Sequence, residues 1–547
     1  MLNRILLLLT AAMLIAVLAA NRAPGSAQAL LYEGMGDHTR TISTNSPEAQ
    51  AYFNQGLQLT FGFNHDEAIR SFRRAAELDP SAPMPWWGIA YCNGININDP
   101  AMNEQRSRDA WDAVQAAQTR SDRASAAERA LINALATRYA WPAPEDRAEL
   151  DRAYADAMQT VYEQFPGDAD IAAFYAESLL NLQPWDYWTL AGEPKGRAEE
   201  IVAVLEGALR VNPVHPGANH FYIHAVEASS DPDRAVAAAD RLTSLVPGSG
   251  HLVHMPSHIY VRVGRYTDAK RSNVQAVAID RAYFAKAPPP GIYAMYFGHN
   301  LHFLAFAAMM SGNEQDALQA ARDLEAEMPE EPLREYAGLI DGIMPTNLHV
   351  LIRFGRWEQI LEEPDYPEWR LMSRAVWAYA RSIACSALGK TAQARQEMAE
   401  FERRAAAVPA DWLVMNNKAF DLLPIARAMV QGELLFREGR RDEAYAILRE
   451  GVALEDNLVY DEPPGWMLPV RHALGALMMA DGRYAECEAV YREDLARNRE
   501  NMWALTGLRL ALAAQGKTGD AERAGRRLEV ALTDATIRPT SSCLCEP

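Results

Sequence analysis

Cysteine is scarce in this chain, with five residues in 547. That excludes a disulfide framework, so the fold must rest on a hydrophobic core. Cys92, Cys385 and Cys487 fall in helical, alanine-rich surroundings and read as small buried apolar residues. Cys543 and Cys545 lie in a polar tail, Thr540-Ser541-Ser542-Cys543-Leu544-Cys545. The tail reads as a disordered end or as a Cys-x-Cys trap for soft metal ions. Positive charge is short too: 53 Lys and Arg against 72 Asp and Glu leave a net charge of −19. This argues against nucleic acid and anionic membrane surfaces, which want basic patches, and weakly favours cations. No apolar run long enough to span a bilayer follows residue 20. No alternation of apolar and polar residues is sustained, which excludes an extensive sheet and predicts an all-α chain.

The N-terminus reads as a secretion signal. Arg4 precedes the apolar run Ile5–Ala20, and Ala27-Gln28-Ala29 offers a cleavage site before Leu30. The run is slightly short for a membrane span, so export to the periplasm or medium is the leading expectation and an uncleaved membrane anchor the alternative.

What the chain does have is repetition. Gly56, Ala68, Phe72, Ala75 and Pro80 stand at fixed spacings across Gln55–Pro80, and Trp87-Gly88 opens a following unit. Further units are marked by Gly264, Gly312, Gly355, Gly389, Gly439, Gly482 and Gly516, each with a packing residue five places on. A period of ~34–45 residues predicts about twelve helix pairs. A chain of this length is too long for one compact core, but stacked repeats bury a continuous one. The expected division is 1–29 signal peptide, 30–50 extension, 51–213 N-terminal repeats, 214–360 central histidine-rich repeats, 361–533 C-terminal repeats and 534–547 flexible tail.

Histidine is concentrated in the central repeats. His220 and His224 each precede His254 and His258 by 34 residues, and His254 precedes His302 by 48. The packing alanines Ala235, Ala269 and Ala317 step by the same 34 and 48, so the imidazoles are in register. His251, His299 and His349 join them, giving eight histidines on one arc of the first helices, roughly 80° wide at about 100° per residue. Glu227 lies on the same face as a ligand, an orienter of a ligand, or a general base. His38, His65 and His215 are off the pattern, and His472 occupies an equivalent position in a distant repeat as a bystander. Tyr222, Tyr260, Tyr293 and Tyr296 are close in sequence and read mostly as packing residues.

Together the repeat marks resemble tetratricopeptide repeats across nearly the whole mature length. The segments His220-x-x-x-His224-Ala225 and His251-x-x-His254-Met255-Pro256-Ser257-His258 resemble those of a widespread group of exported bacterial tetratricopeptide proteins. The resemblance implies an all-α right-handed superhelix whose concave groove is lined by the positions that here carry histidine. It carries no activity over.

Packed helices run ~8–10 Å apart, so imidazoles at equal heights on neighbours can share an ion at ~2.0–2.1 Å per bond. The expectation is one or two transition-metal ions, copper, iron or zinc, held by His220, His224, His251, His254, His258, His299, His302 and His349. An enzyme built on such a site would be a metal-dependent hydrolase, with Glu227 as base, or an oxidoreductase using oxygen. The other class is an interaction scaffold whose groove takes a partner peptide or small ligand; a structural polar network is the plainest alternative.

Overall fold

The computed structural model of the chain describes residues 29–287 and 291–545. The expected signal run, Arg4 with Ile5–Ala20, and the connection Pro288–Pro290 therefore lie outside the described residues. The architecture is all-α, a solenoid of helix pairs from Pro47–Phe61 with His65–Leu78 to Met502–Ala514 with Thr518–Ala531. About twelve pairs can be followed, as the period predicts. Among the described residues the strand content is one short antiparallel ladder, Leu413–Val414 against Asn417–Lys418.

The first pair shows how the sequence builds the unit. Ser46 caps Pro47–Phe61 by accepting from the Ala49 amide, and proline sits at the helix start, where its missing N–H costs nothing. Asn64 caps His65–Leu78 in the same way. Phe72 then lies against two first helices that carry glycine at the contact. A Cβ on Gly56 would stand 2.5 Å from its ring and one on Gly88 2.6 Å, so any side chain would push the helices apart. The turns at Gly264, Gly312, Gly355, Gly389, Gly439, Gly482 and Gly516 have φ between 65° and 83°. That left-handed conformation ends a helix cheaply only for glycine.

Contacts divide the chain into two compact units. Unit 1 runs through Ile259 and includes Val274–Phe297; unit 2 comprises Tyr260–Asn273 and Gly298 onward. In unit 1 the extension ahead of the first helix is laid onto the repeats: the Tyr32 amide donates to Gln55 Oε1, and Gln55 Nε2 returns a bond to the Leu30 carbonyl. In unit 2 residues 541–545, expected to lie in a flexible tail, are packed instead. Ser541, Ser542 and Cys545 are buried, and Cys543 and Cys545 form a disulfide with each other, so neither offers a thiolate to a soft metal. Cys92, Cys385 and Cys487 are free and buried, as read from their surroundings. No helix among the described residues is long and apolar enough to cross a membrane.

Candidate metal centre

His220 and His224 stand one turn apart on the helix Pro216–Val226. His215 caps that helix: its Nδ1 accepts from the Ala218 amide at 3.0 Å, so its Nε2 carries the proton. His251 belongs to the short helix Gly250–His254. The sequence pattern predicts one continuous first helix through His258, but the structure divides it at Met255, and Pro256–Arg262 is a separate turn of helix. Pro256 has no amide to continue the ladder, which accounts for the break.

His220, His224 and His251 are buried, and each offers a ring nitrogen within 4.8 Å of the others. His220 Nε2 and His251 Nε2 are 3.2 Å apart. Two imidazole ligands of one tetrahedral ion would sit about 3.3 Å apart at ~2.0–2.1 Å per bond. The opposite ring nitrogens settle which lone pairs point inward. His220 Nδ1 lies 2.6 Å from the Phe61 carbonyl, which can only accept, so Nδ1 is protonated and Nε2 is bare. His224 Nδ1 lies 3.0 Å from Glu227 Oε1, and its Nε2 is buried with no partner. Leaving such an atom unmet costs about 1–3 kcal/mol. Burial pushes the His220 and His251 imidazoles well below their usual pKa, reinforced by neighbouring histidines, so both are neutral near pH 7 and able to ligate.

Glu227 holds a second ring as firmly as the first. Its Oε2 accepts from His258 Nδ1 at 2.7 Å while Oε1 accepts from His224. Burial alone would raise this carboxyl, but the two histidines outweigh it and keep it ionised. Both oxygens are committed to ring N–H groups, the arrangement that orients metal-binding imidazoles. His258 Nε2 in turn meets His254 Nε2 at 2.8 Å, a hydrogen-bond distance. Five imidazoles thus form a continuous cluster in unit 1.

Aromatic rings enclose it. Phe63 lies 4.7 Å from the His220 ring and 5.6 Å from His251, and Tyr296 lies 4.5 Å from His251. Trp185 meets His224 edge-on at 5.5 Å and donates from Nε1 to the Ile97 carbonyl. Phe63 and Trp185 have φ of 55° and 62°. Bulky residues adopt that region at a cost of order 1–3 kcal/mol, and such strain gathers at functional sites. Neither ring was legible from the histidine register. Tyr293 accepts from the His251 amide and donates to Asp280, so it supports the cluster from outside.

His38, Asp170 and His215 also come together, but as a closed network. Asp170 Oδ1 meets both imidazoles, at 2.8 and 3.0 Å, and its Oδ2 accepts from Arg40 at 2.9 Å. Burial opposes the Asp170 charge, and His215 and His38 overcome it, holding the carboxyl well below its usual range. With no free lone pair on His215, this is a hydrogen-bonded brace for the extension. His65, also buried, is pushed down to about 3 by burial.

The remaining predicted ligands belong to unit 2. His302 and His349 are buried there, lowered to about 3 and about 4, chiefly by burial. His349 packs 5.3 Å from Trp466, and His299 lies 5.8 Å from Phe303. Taken by itself, unit 2 gathers no set of three potential ligands among the described residues. His472 falls in none of the groups of potential ligands among the described residues; its Nε2 donates to Asp494 Oδ2 at 3.0 Å, and its Nδ1 accepts from Arg353 at 3.1 Å.

Residues 48–81 match the tetratricopeptide repeat family. No curated protein matches the chain significantly. Among solved structures, the human IFIT1 dimer with m7Gppp-AAAA is 13% identical with a TM-score of 0.31, over 90% of this chain and 92% of that one. The APC/C hetero-tetramer Cut9-Hcn1 is 13% identical with a TM-score of 0.31, over 91% and 79%. Yeast Tom70 is 12% identical with a TM-score of 0.27, over 90% and 93%. Nothing about what this chain binds follows from similarities of that size.

Proposed function

We propose that unit 1 binds a transition-metal ion through His220, His224 and His251, with Glu227 as the residue that positions His224. The observation that carries this reading is the buried, partnerless Nε2 of His224, on a ring that offers one nitrogen within 4.8 Å of nitrogens of His220 and His251. Zinc, copper and iron all suit imidazole. Three such ligands leave a tetrahedral ion one open position. Water activated there would favour hydrolysis, whereas copper or iron would favour oxygen chemistry. His254 and His258 are proposed as the adjoining pair, and His299, His302 and His349 remain proposed as the further ligands of the predicted set. We place the mature protein outside the cytoplasm, with sequencing of the exported chain expected to begin at Leu30.

The test is elemental analysis of the purified full chain, followed by titration with cobalt(II) read by its visible absorption. About one ion per chain is expected. The double variant His220→Ala/His224→Ala should lose it while its far-UV circular dichroism stays the same. Full metal content in that variant would sink the reading.

A second reading is an interaction scaffold that takes a peptide between its helix pairs. The tetratricopeptide match over 48–81 and the repeated helix pairs favour it as a class of function. The two readings are compatible, because the histidine cluster belongs to unit 1 and leaves the interior of unit 2 to other use.

A further inference from the structure

Ser541, Ser542 and Cys545 belong to no helix pair, yet they are buried in unit 2. Ser542 is 0% exposed. The approach to it is anchored where the Thr536 amide and hydroxyl both donate to the Gly312 carbonyl at 3.0 Å. The segment is then read almost entirely through its backbone and one hydroxyl. Arg353 Nη1 donates to the Ser542 carbonyl at 3.2 Å, and Arg437 Nη2 donates to the Cys545 carbonyl. Ser542 Oγ donates to the His472 carbonyl at 2.7 Å, which leaves Tyr491 OH as the donor to Ser542 Oγ, also at 2.7 Å. Leu544 sits over Gly355, where a Cβ would come within 3.0 Å of it.

Those donors are held in place before the segment is considered. Asn498 and Asn501 each donate to Asp494, which accepts from His472 Nε2; His472 Nδ1 accepts from Arg353. The Arg353 guanidinium also stacks 4.7 Å from the Trp503 ring centroid. A buried arginine stacked on one face and hydrogen-bonded at its edge, with an N–H directed at a main-chain carbonyl, can read a peptide without reading its sequence.

We propose that the interior of unit 2 is a binding site for a short, bent peptide with a small hydroxyl residue between Tyr491 and His472, and that Thr540–Cys545 is its resident intramolecular ligand. The inference rests on the scaffold reading and names its first occupant. A tethered segment acts at an effective concentration of order mM, so it competes strongly with any peptide added from outside.

The probe is a fluorescent synthetic peptide of residues 538–547 with its two cysteines joined. It is titrated by anisotropy into the full chain and into a chain ending at Pro539. The truncated chain should bind it saturably, and the full chain at least tenfold more weakly. Arg437→Gln in the truncated chain should weaken binding at least tenfold. Because truncation could disturb folding, hydrogen exchange is measured on the full chain as well. There, Arg437→Gln should lower protection of residues 540–545 at least tenfold and leave the helices Val470–Ala480 and Tyr484–Arg497 unchanged. Unchanged protection, or equal affinity of the full and truncated chains, overturns the proposal. If the truncated chain ignores this peptide but binds others from a random library, only the resident-ligand inference fails. If it binds none, the scaffold reading fails with it.

Discussion

Phe72 in unit 1 and Tyr491 in unit 2 fill the same slot of the repeat. Each ring lies on a second helix between two first-helix glycines, Gly56 and Gly88 for Phe72, Gly475 and Gly507 for Tyr491. The difference is one hydroxyl, and in unit 2 that hydroxyl reaches Ser542. The contrast extends to the polar interiors of the two units. Unit 1 turns imidazole nitrogens toward one another, with bare lone pairs on His220 and His224 that a cation or a proton can satisfy. Unit 2 turns guanidinium and hydroxyl donors inward, a set that backbone carbonyls satisfy. The packing scheme is shared, so what each unit can hold is decided by the sign of its unspent hydrogen-bonding capacity.

The largest expected effect tests the shared scheme. Phe72→Ala should cost about 3–5 kcal/mol in chemical denaturation, since its ring is fully buried between helices that cannot close over the gap. Tyr491→Phe, which keeps the ring, should cost less than about 1.5 kcal/mol while loosening the C-terminal segment in hydrogen exchange. Equal losses for the two would mean that the Tyr491 hydroxyl is part of the core and would break the distinction.

Next comes the carboxylate. Glu227→Gln keeps the shape but not the charge, and metal affinity should fall about 10–100-fold. His472→Gln should leave metal affinity unchanged and raise exchange at residues 540–545. A common response of both variants in cobalt titration would contradict the separate roles.

The smallest effect concerns pH, and the two units should respond with opposite sign. In unit 2, burial raises Glu433 to about 7 and Glu455 and Asp461 to about 8. Their folded values exceed the unfolded ones, so their stabilisation is complete below about pH 4 and is lost as pH rises to 7–8. In unit 1, Asp170 is held below its usual range, so its contribution is present above about pH 4 and is lost on acidification. Thermal melts should show Asp461→Asn flattening the decline between pH 5 and 8. Asp170→Asn should lower the melting temperature at pH 6, and the difference from the unaltered chain should shrink progressively as pH falls below about 4. The reverse pattern would refute the assignment.

The fold was legible because its signals are local. Gly56, Phe72 and the turn glycines repeat at helix-pair spacing, and each is used as the pattern predicts. The register of His220, His224, His254 and His258 was legible for the same reason. The break at Pro256 needed a weighing of proline against helical periodicity, and the periodicity misled. The C-terminal segment was misread for a deeper reason. Serine, threonine and proline near a chain end have the composition of disorder. What orders them is Arg353 and Arg437, separated from their partners by 189 and 108 residues. Composition cannot report a donor that arrives from so far away. The aromatic enclosure by Phe63 and Trp185 was hidden likewise, since it depends on two backbone conformations that bulky residues seldom adopt.

Glu227 has one oxygen on His224 and the other on His258, so the orientations of those two rings are not independent variables. Rotating either imidazole to suit an occupant drags the carboxylate, and the carboxylate drags the other ring. Whatever differential free energy a ligand spends at His224 is therefore felt at the His254–His258 pair, and by reciprocity the pair can return it. A single buried side chain thus makes the histidine cluster one thermodynamic object instead of a row of separate ligands.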